Sequence, residues 1–377
     1  MERPSRESPG IRVALLDCGT GEGHNSAAAA LGEALDRRGV AWEEAKPLAL
    51  DGKRLGPGVD RAYAWMIRSA PGLFNQIYKA GERLSCADRQ SPVYRVLGRH
   101  CAPLGRWLRR GGFTHVICTH LFPMEMMTAL RLSGQWELPC YGVLTDYTCI
   151  PFTEETRMDG YFIAHQDLVG EMVERGVPQG RIFPSGIPVR EKFGKPQERT
   201  AARRALGLPS QGKLFLVMGG SAGCGKLEEL CQGLLALPGE KTVCVLTGRN
   251  ERLRKKLGRT FAQNSALHIV PYTNQTEMYM AAAHVLITKP GGLSSTEAAA
   301  LGVPLVHLLV YTACEEKNAR FFADRGLSLR AGSPGEAVQL AWALAEEEDL
   351  RKAQRKIQEK YVDPHGADHI VEKVLAL

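Results

Sequence analysis

The chain has 377 residues, 44% of them hydrophobic, and a mean hydropathy of -0.19. That balance predicts a water-soluble folded protein with room for two domains and excludes a disordered chain. No apolar run reaches the roughly 18 residues of a membrane span, and MERPSRESPG at the start lacks the apolar core of a secretory signal, so a cytosolic protein is expected. The formal charge is +7, and the ten cysteines contain no C-x-x-C pair, which points to reduced thiols and away from a metal site.

In chain order, the first element is an apolar strand, RVALLD at 12–17, which runs into a glycine-rich turn at 17–26 and then a helical stretch at 27–37, closed by Gly39. The turn resembles a dinucleotide fingerprint only in part, because His24 stands where G-x-G-x-x-G needs glycine. A histidine near the positive end of a helix tends to be neutral, which fits either a proton acceptor that also orients a substrate or a structural hydrogen bond. Segment 51–112 follows, with twelve lysines and arginines against four acidic residues, and it accounts for the whole positive excess. Trp65, Phe74, Ile77, Tyr94 and Trp107 are interleaved with these cations. An interfacial helix on anionic lipid has this composition; the alternative is a helical layer with an arginine-rich solvated face. No recognition motif accompanies it, so nucleic acid is not an expected partner.

Apolar strands recur at 116–119, 140–144 and 160–164. The loop after the second, 145–155, carries Asp146, Glu154 and Glu155 at a strand's carboxyl end, where general bases are commonly placed. Asp146 is read as a base or a turn cap, and the two glutamates as bases or solvated surface. The stretch 185–213, rich in glycine, proline and charge, places a domain boundary near Gly194, giving domains 1–193 and 194–377. Strands at 214–218, 242–246, 267–270, 285–288 and 305–308 build the second half, and the last helix, 367–377, is a candidate to return to the first domain. Alternating strands and helices predict an α/β architecture of two Rossmann-like parallel-sheet domains facing a cleft, with a donor on one wall and an acceptor on the other.

Two further turns in the second half carry phosphate chemistry. Gly219, Gly220 and Ser221 open a run that spells G-x-x-x-x-G-K from Gly220, but Leu227 replaces the Ser or Thr that would hold magnesium, so the turn is read as closing over a diphosphate. Thr288 to Ala298 takes a strand through Gly291 and Gly292 into a helix, whose unpaired first N–H groups accept a diphosphate without a metal. Glu297, one turn in, either reaches a ribose or sugar hydroxyl or completes a capping box with Ser294. Glu315 and Asn318 open a later helix and either grip sugar hydroxyls or cap it.

Gly21-Glu22-Gly23-His24, Thr145-Asp146-Tyr147, Lys289-Pro290-Gly291-Gly292 with Thr296-Glu297-Ala298, and Glu315 with Asn318 before Phe321-Phe322 resemble, in the same order, the monogalactosyldiacylglycerol synthase and processive diacylglycerol glucosyltransferase family. More distantly they resemble the peptidoglycan glycosyltransferase that makes lipid II. The resemblance covers nearly the whole chain. It implies a GT-B fold and inverting transfer of glucose or galactose from a UDP-sugar co-substrate to diacylglycerol, with no cofactor and no metal, by a protein peripheral on the inner face of the cell membrane. Another lipid acceptor, such as a polyprenyl-linked sugar or a sterol, and a non-catalytic UDP-sugar sensor are the alternatives. On this resemblance Glu297 binds the ribose, Glu315 and Asn318 the sugar hydroxyls, Gly291 to Ser294 the diphosphate, and His24 lies near the acceptor. Tyr272, Lys289 and Leu293 are counted with the donor set. Several family members have a histidine where this chain has Ile150-Pro151-Phe152, which leaves the base to Asp146, His24 or a nearby glutamate.

Overall fold

The computed structural model describes residues 10–19, 22–50, 71–195, 197–219, 226–308 and 312–377. Two parallel six-stranded sheets organise them. The first comprises β1 (Arg12–Leu16), β2 (Ala41–Ala45), β3 (His115–Cys118), β4 (Cys140–Val143), β5 (Gly160–Ile163) and β6 (Ile182–Pro184), in the order β2-β1-β3-β4-β5-β6. The second comprises β7 (Lys213–Met218), β8 (Lys241–Gly248), β9 (Leu267–Pro271), β10 (Val285–Thr288), β11 (Leu305–Leu308) and β12 (Leu329–Ala331), in the order β12-β11-β10-β7-β8-β9. Strands covered by helices on both faces read as unbroken apolar runs, and Val13 to Leu16 and Leu214 to Val217 are fully buried. The strands that the apolar pattern misses, β2, β6 and β12, all lie at sheet edges. There, half-exposure lets polar residues such as Glu43 and Glu44 into the run.

Strand order reverses between β1 and β3 in the first sheet and between β7 and β10 in the second. Loops leaving strands on either side of a reversal diverge and open a crevice at the carboxyl ends. His24, Gly219 and Gly291 all lie just beyond the ends of such strands.

The last helix, Gly366–Ala376, packs on the first sheet's helix Glu22–Arg37. Ile370, Val371 and Val374 share a buried cluster with Val13, Leu15, Leu31 and Leu35. Asp368 accepts from Arg37 at 2.9 Å and Arg38 at 2.7 Å. The return is tight: a side chain on Gly366 would lie 2.9 Å from the Ser185 carbonyl oxygen. Within the basic segment, residues 51–70 lie outside the described residues. The rest forms helices Pro71–Leu84, Pro92–Gly98 and Ala102–Gly111, with Leu97, Leu104 and Leu108 buried and Ile77, Leu84 and Val96 more than half exposed.

If the last helix is part of the first domain's core, Ile370→Ala leaves a cavity that costs about 2–5 kcal/mol. Chemical denaturation measures this, and a loss under about 0.5 kcal/mol, the range of surface substitutions, contradicts it.

Candidate functional site

The loop after β4 crosses from the first sheet's side into the second domain. Gly292, at the start of the helix Gly292–Ala300, permits this: an added Cβ would stand 1.9 Å from the Thr145 carbonyl oxygen. Beyond that contact the Tyr147 ring packs on Phe321 and Phe322, at 4.6 and 4.8 Å between centroids, and its hydroxyl meets Thr296 Oγ1 at 2.8 Å. Asn318, fully buried, holds the loop's backbone and acid together. Its Oδ1 accepts from the Tyr147 N–H at 2.7 Å, and its amide donates to Asp146 Oδ1 at 2.7 Å and to the Pro290 carbonyl at 3.1 Å. Both donors of its amide are therefore used within the protein. The approach that Gly292 allows is likewise taken up by backbone, whereas Gly291 faces more open space, with Lys289 Cε at 3.8 Å the nearest atom to an added Cβ.

His24 lies in the first turn of the helix Glu22–Arg37. Its Nδ1 is 2.9 Å from the Thr119 carbonyl oxygen, which only accepts, so Nδ1 carries the proton and Nε2 keeps the lone pair. Thr145 Oγ1, 3.0 Å from the same nitrogen, shares that proton. Burial lowers the histidine's pKa and the Asp146 carboxylate opposes the shift. His120 meets the ring edge-on at 4.5 Å and stays neutral, because burial and His24 push its pKa well down. The imidazole is thus a neutral base of fixed tautomer, with a carboxylate near enough to stabilise the cation it forms on taking a proton.

A cleft of about 360 Å³ lies between the domains, with Gly23 and Ser26 on one wall and Tyr272, Leu293, Ser294 and Glu297 on the other. Glu297 Oε1 accepts from Ser26 Oγ at 3.0 Å across it. Burial raises the Glu297 pKa to about 7, against the pull of Ser26, Lys192 and Arg190. Tyr272 is 55% exposed, with the Arg249 guanidinium 4.6 Å above its ring, so a flat apolar face and a cation stand open at the cleft's outer end.

Lys289 and Glu315 form a pair of their own at 2.6 Å, and the second Glu315 oxygen is buried without a partner. Gly219 follows β7 and is buried; Gly220 and Ser221 lie outside the described residues. The structure thus gathers Glu297, Leu293, Ser294 and Tyr272 in the cleft and His24, Asp146 and Asn318 around the inserted loop.

Glu154 and Glu155 are not the solvated surface that one reading made them: they are 4% and 5% exposed. Both turn to the basic helices and their surroundings: Glu155 accepts from the Ser91 N–H at 2.6 Å, and Glu154 accepts from the Ser85 hydroxyl beside Arg175. These two bonds tie the basic helices to the first domain; Glu125, whose pKa burial and these two neighbours raise to about 10, is buried beside them.

Ser26, Arg190, Lys192 and Arg249 line the cleft without having been singled out from sequence. Two had a signal. Ser26 belongs to the first glycine-rich turn, and Arg249 follows Gly248, a left-handed glycine at the end of β8 with φ 54°. Arg190 and Lys192 come from the stretch between the sheets, which carries no such pattern.

A family model described as monogalactosyldiacylglycerol (MGDG) synthase matches residues 24–189. A second, described as the glycosyltransferase family 28 C-terminal domain, matches residues 214–332. A processive diacylglycerol beta-glucosyltransferase of Bacillus cereus (strain AH187) is 31% identical over 263 residues, 69% of this chain and 67% of the relative. The chain belongs to this family of glycosyltransferases. Another relative of the same name, from Bacillus cytotoxicus, is 29% identical over 261 residues, again 69% of this chain and 67% of the relative. Among solved structures, MurG of Acinetobacter baumannii is similar with a TM-score of 0.63 at 17% identity, over 98% of this chain and 100% of that one. The UDP-GlcNAc 2-epimerase of Neisseria meningitidis, bound to UDP-GlcNAc, gives 0.62 at 14%, over 97% and 100%. The fold of this glycosyltransferase is GT-B.

Glu297 gives the glycosyltransferase a measurable pH signature. A carboxyl whose folded pKa is about 7 against an ordinary 4.5 binds its proton more tightly folded than unfolded. Its contribution is therefore complete below the ordinary value and is lost as pH rises through the folded one. Thermal unfolding of wild type and Glu297→Gln should diverge between about pH 5 and pH 8, the variant gaining up to about 3 kcal/mol relative to wild type. A difference independent of pH contradicts the assignment.

Proposed function

We propose that this glycosyltransferase transfers glucose or galactose from a UDP-sugar to diacylglycerol at the cytosolic surface of the membrane, inverting the anomeric carbon. The observation that carries the reading is the placement of His24, a neutral base with its proton fixed on Nδ1, beside Asp146 and next to a cleft that ends at a helix N-terminus. In support, the two relatives are named as transferring glucose to diacylglycerol, and a structural neighbour of the same fold holds UDP-GlcNAc.

On this reading the nucleoside lies in the 360 Å³ cleft, its base against Tyr272 and Arg249 and its ribose hydroxyls on Glu297. The diphosphate meets the N–H groups of Gly291 to Ser294. Lys289, held by Glu315, adds positive charge near the leaving group, so the chemistry needs no metal. The sugar sits toward Glu315, whose second oxygen is unpartnered. Asn318 acts through the loop it clasps, since its amide is already engaged.

The diacylglycerol hydroxyl gives its proton to His24 Nε2 as its oxygen bonds to the anomeric carbon. The bond from that carbon to the β-phosphate oxygen breaks on the opposite face, and UDP leaves. Asp146 stabilises the imidazolium that results. The basic helices, with Ile77, Leu84 and Val96 exposed among their cations, hold the protein on anionic lipid.

The test is UDP release from UDP-glucose and UDP-galactose, each with and without diacylglycerol in anionic vesicles. Release should require lipid and favour one donor, and His24→Ala should lower it by at least about 100-fold. Release without lipid, or full activity of the variant, contradicts the proposal.

A further inference from the structure

The far end of the helix that starts at Gly292 opens on a second cavity, of about 410 Å³, that shares no residue with the donor cleft. Arg199, Leu301, Gly302, Arg355 and Glu359 are among its walls. Positive charge is concentrated here. Arg203, Arg355 and Arg351 all repel the Arg199 guanidinium, which burial and these neighbours hold below its ordinary pKa. Two of the four have a terminal guanidinium nitrogen occupied by backbone. Arg203 donates to the carbonyls of Ala282 and Gly212, at 3.2 and 3.1 Å, and Arg351 to those of Leu344 and Ala345, at 2.8 and 2.7 Å.

Arg199 and Arg355 are left facing the space. Among the described residues neither forms an ion pair with a carboxylate. The nearest candidate, Glu198, is committed to its own helix start, where it accepts from Thr200 N at 3.1 Å and Ala201 N at 2.8 Å. Glu359 is exposed at the rim. Arg199 Nε is buried with no acceptor, and a guanidinium donor buried without a partner carries a desolvation cost that an oxyanion would remove. Carbonyls at a helix C-terminus repel anions, but Arg355 Nε donates to the Gly302 carbonyl at 3.0 Å and offsets that charge.

We propose that this cavity binds a phosphate group, as inorganic phosphate or as the phosphate of a small phosphorylated molecule or lipid headgroup, on the forks of Arg199 and Arg355. Two planar forks suit a tetrahedral oxyanion better than point charges do, and the volume leaves space for a small organic substituent.

The test is calorimetric titration of the full chain with inorganic phosphate and with glycerol 3-phosphate, at constant ionic strength, for wild type, Arg199→Gln and Arg355→Gln. One saturable site is expected, weakened about tenfold or more in each variant, as loss of a charge-assisted pair implies. No binding to wild type, or equal binding by both variants, overturns the proposal. If a glutamine variant fails to fold by circular dichroism, Arg199→Lys replaces it, keeping the charge and losing the fork, with the same weakening expected. Phosphatidylglycerol vesicles form the last arm. Competition with glycerol 3-phosphate supports the site with a lipid headgroup as its source, and absence of competition supports it with a soluble phosphate.

Discussion

The Thr145 carbonyl oxygen occupies the space where any residue but glycine at 292 would carry its Cβ. Because that contact is backbone against backbone, neither partner can yield by rotating a side chain, and the two domains meet in one register. The Tyr147 aromatic contacts, its hydroxyl's bond to Thr296 and the three bonds of Asn318 lie within a few residues of it. Together they place Asp146, from the first domain, beside the start of a second-domain helix, and Ser26 within hydrogen-bond distance of Glu297. The site belongs to neither domain alone.

Two different uses of buried carboxylates follow from where this contact puts them. Glu297 is buried but faces a cleft, and burial there raises its pKa, as is common for groups at functional sites. Glu125, Glu154 and Glu155 are buried beneath the basic helices. Glu154 and Glu155 bond to Ser85 and Ser91 of that layer, and Glu125, whose pKa burial and these two neighbours raise, lies against them away from the cleft, so its perturbation is structural. Position relative to the cleft separates the two cases, where the size of the shift does not.

Much of this could be read from residue patterns. Strands such as LFLVM and VLIT are buried on both faces, and continuous apolar runs announce them. The edge strand AWEEA is half in water and does not. The glycines at 291 and 292 announced a close approach, yet a glycine records only that something comes near. At 292 that something is the Thr145 carbonyl, a partner 147 residues away in sequence. The partners of Asn318 and Glu154 within the protein were not legible for a related reason. Whether an amide or a carboxylate meets water, a ligand or another loop depends on tertiary packing, to which local composition is blind. The arginines at 199, 203, 351 and 355 converge only once a helix near the C-terminus has folded back on the stretch between the sheets.

Small-angle X-ray scattering of wild type and Gly292→Ala tests most directly whether the Thr145–Gly292 contact holds the two domains together. The methyl group cannot coexist with the Thr145 carbonyl, so the variant should show a larger radius of gyration with unchanged helix content. An unchanged scattering profile would mean that the domains keep their register without this contact, and the account of the site built on it would be wrong.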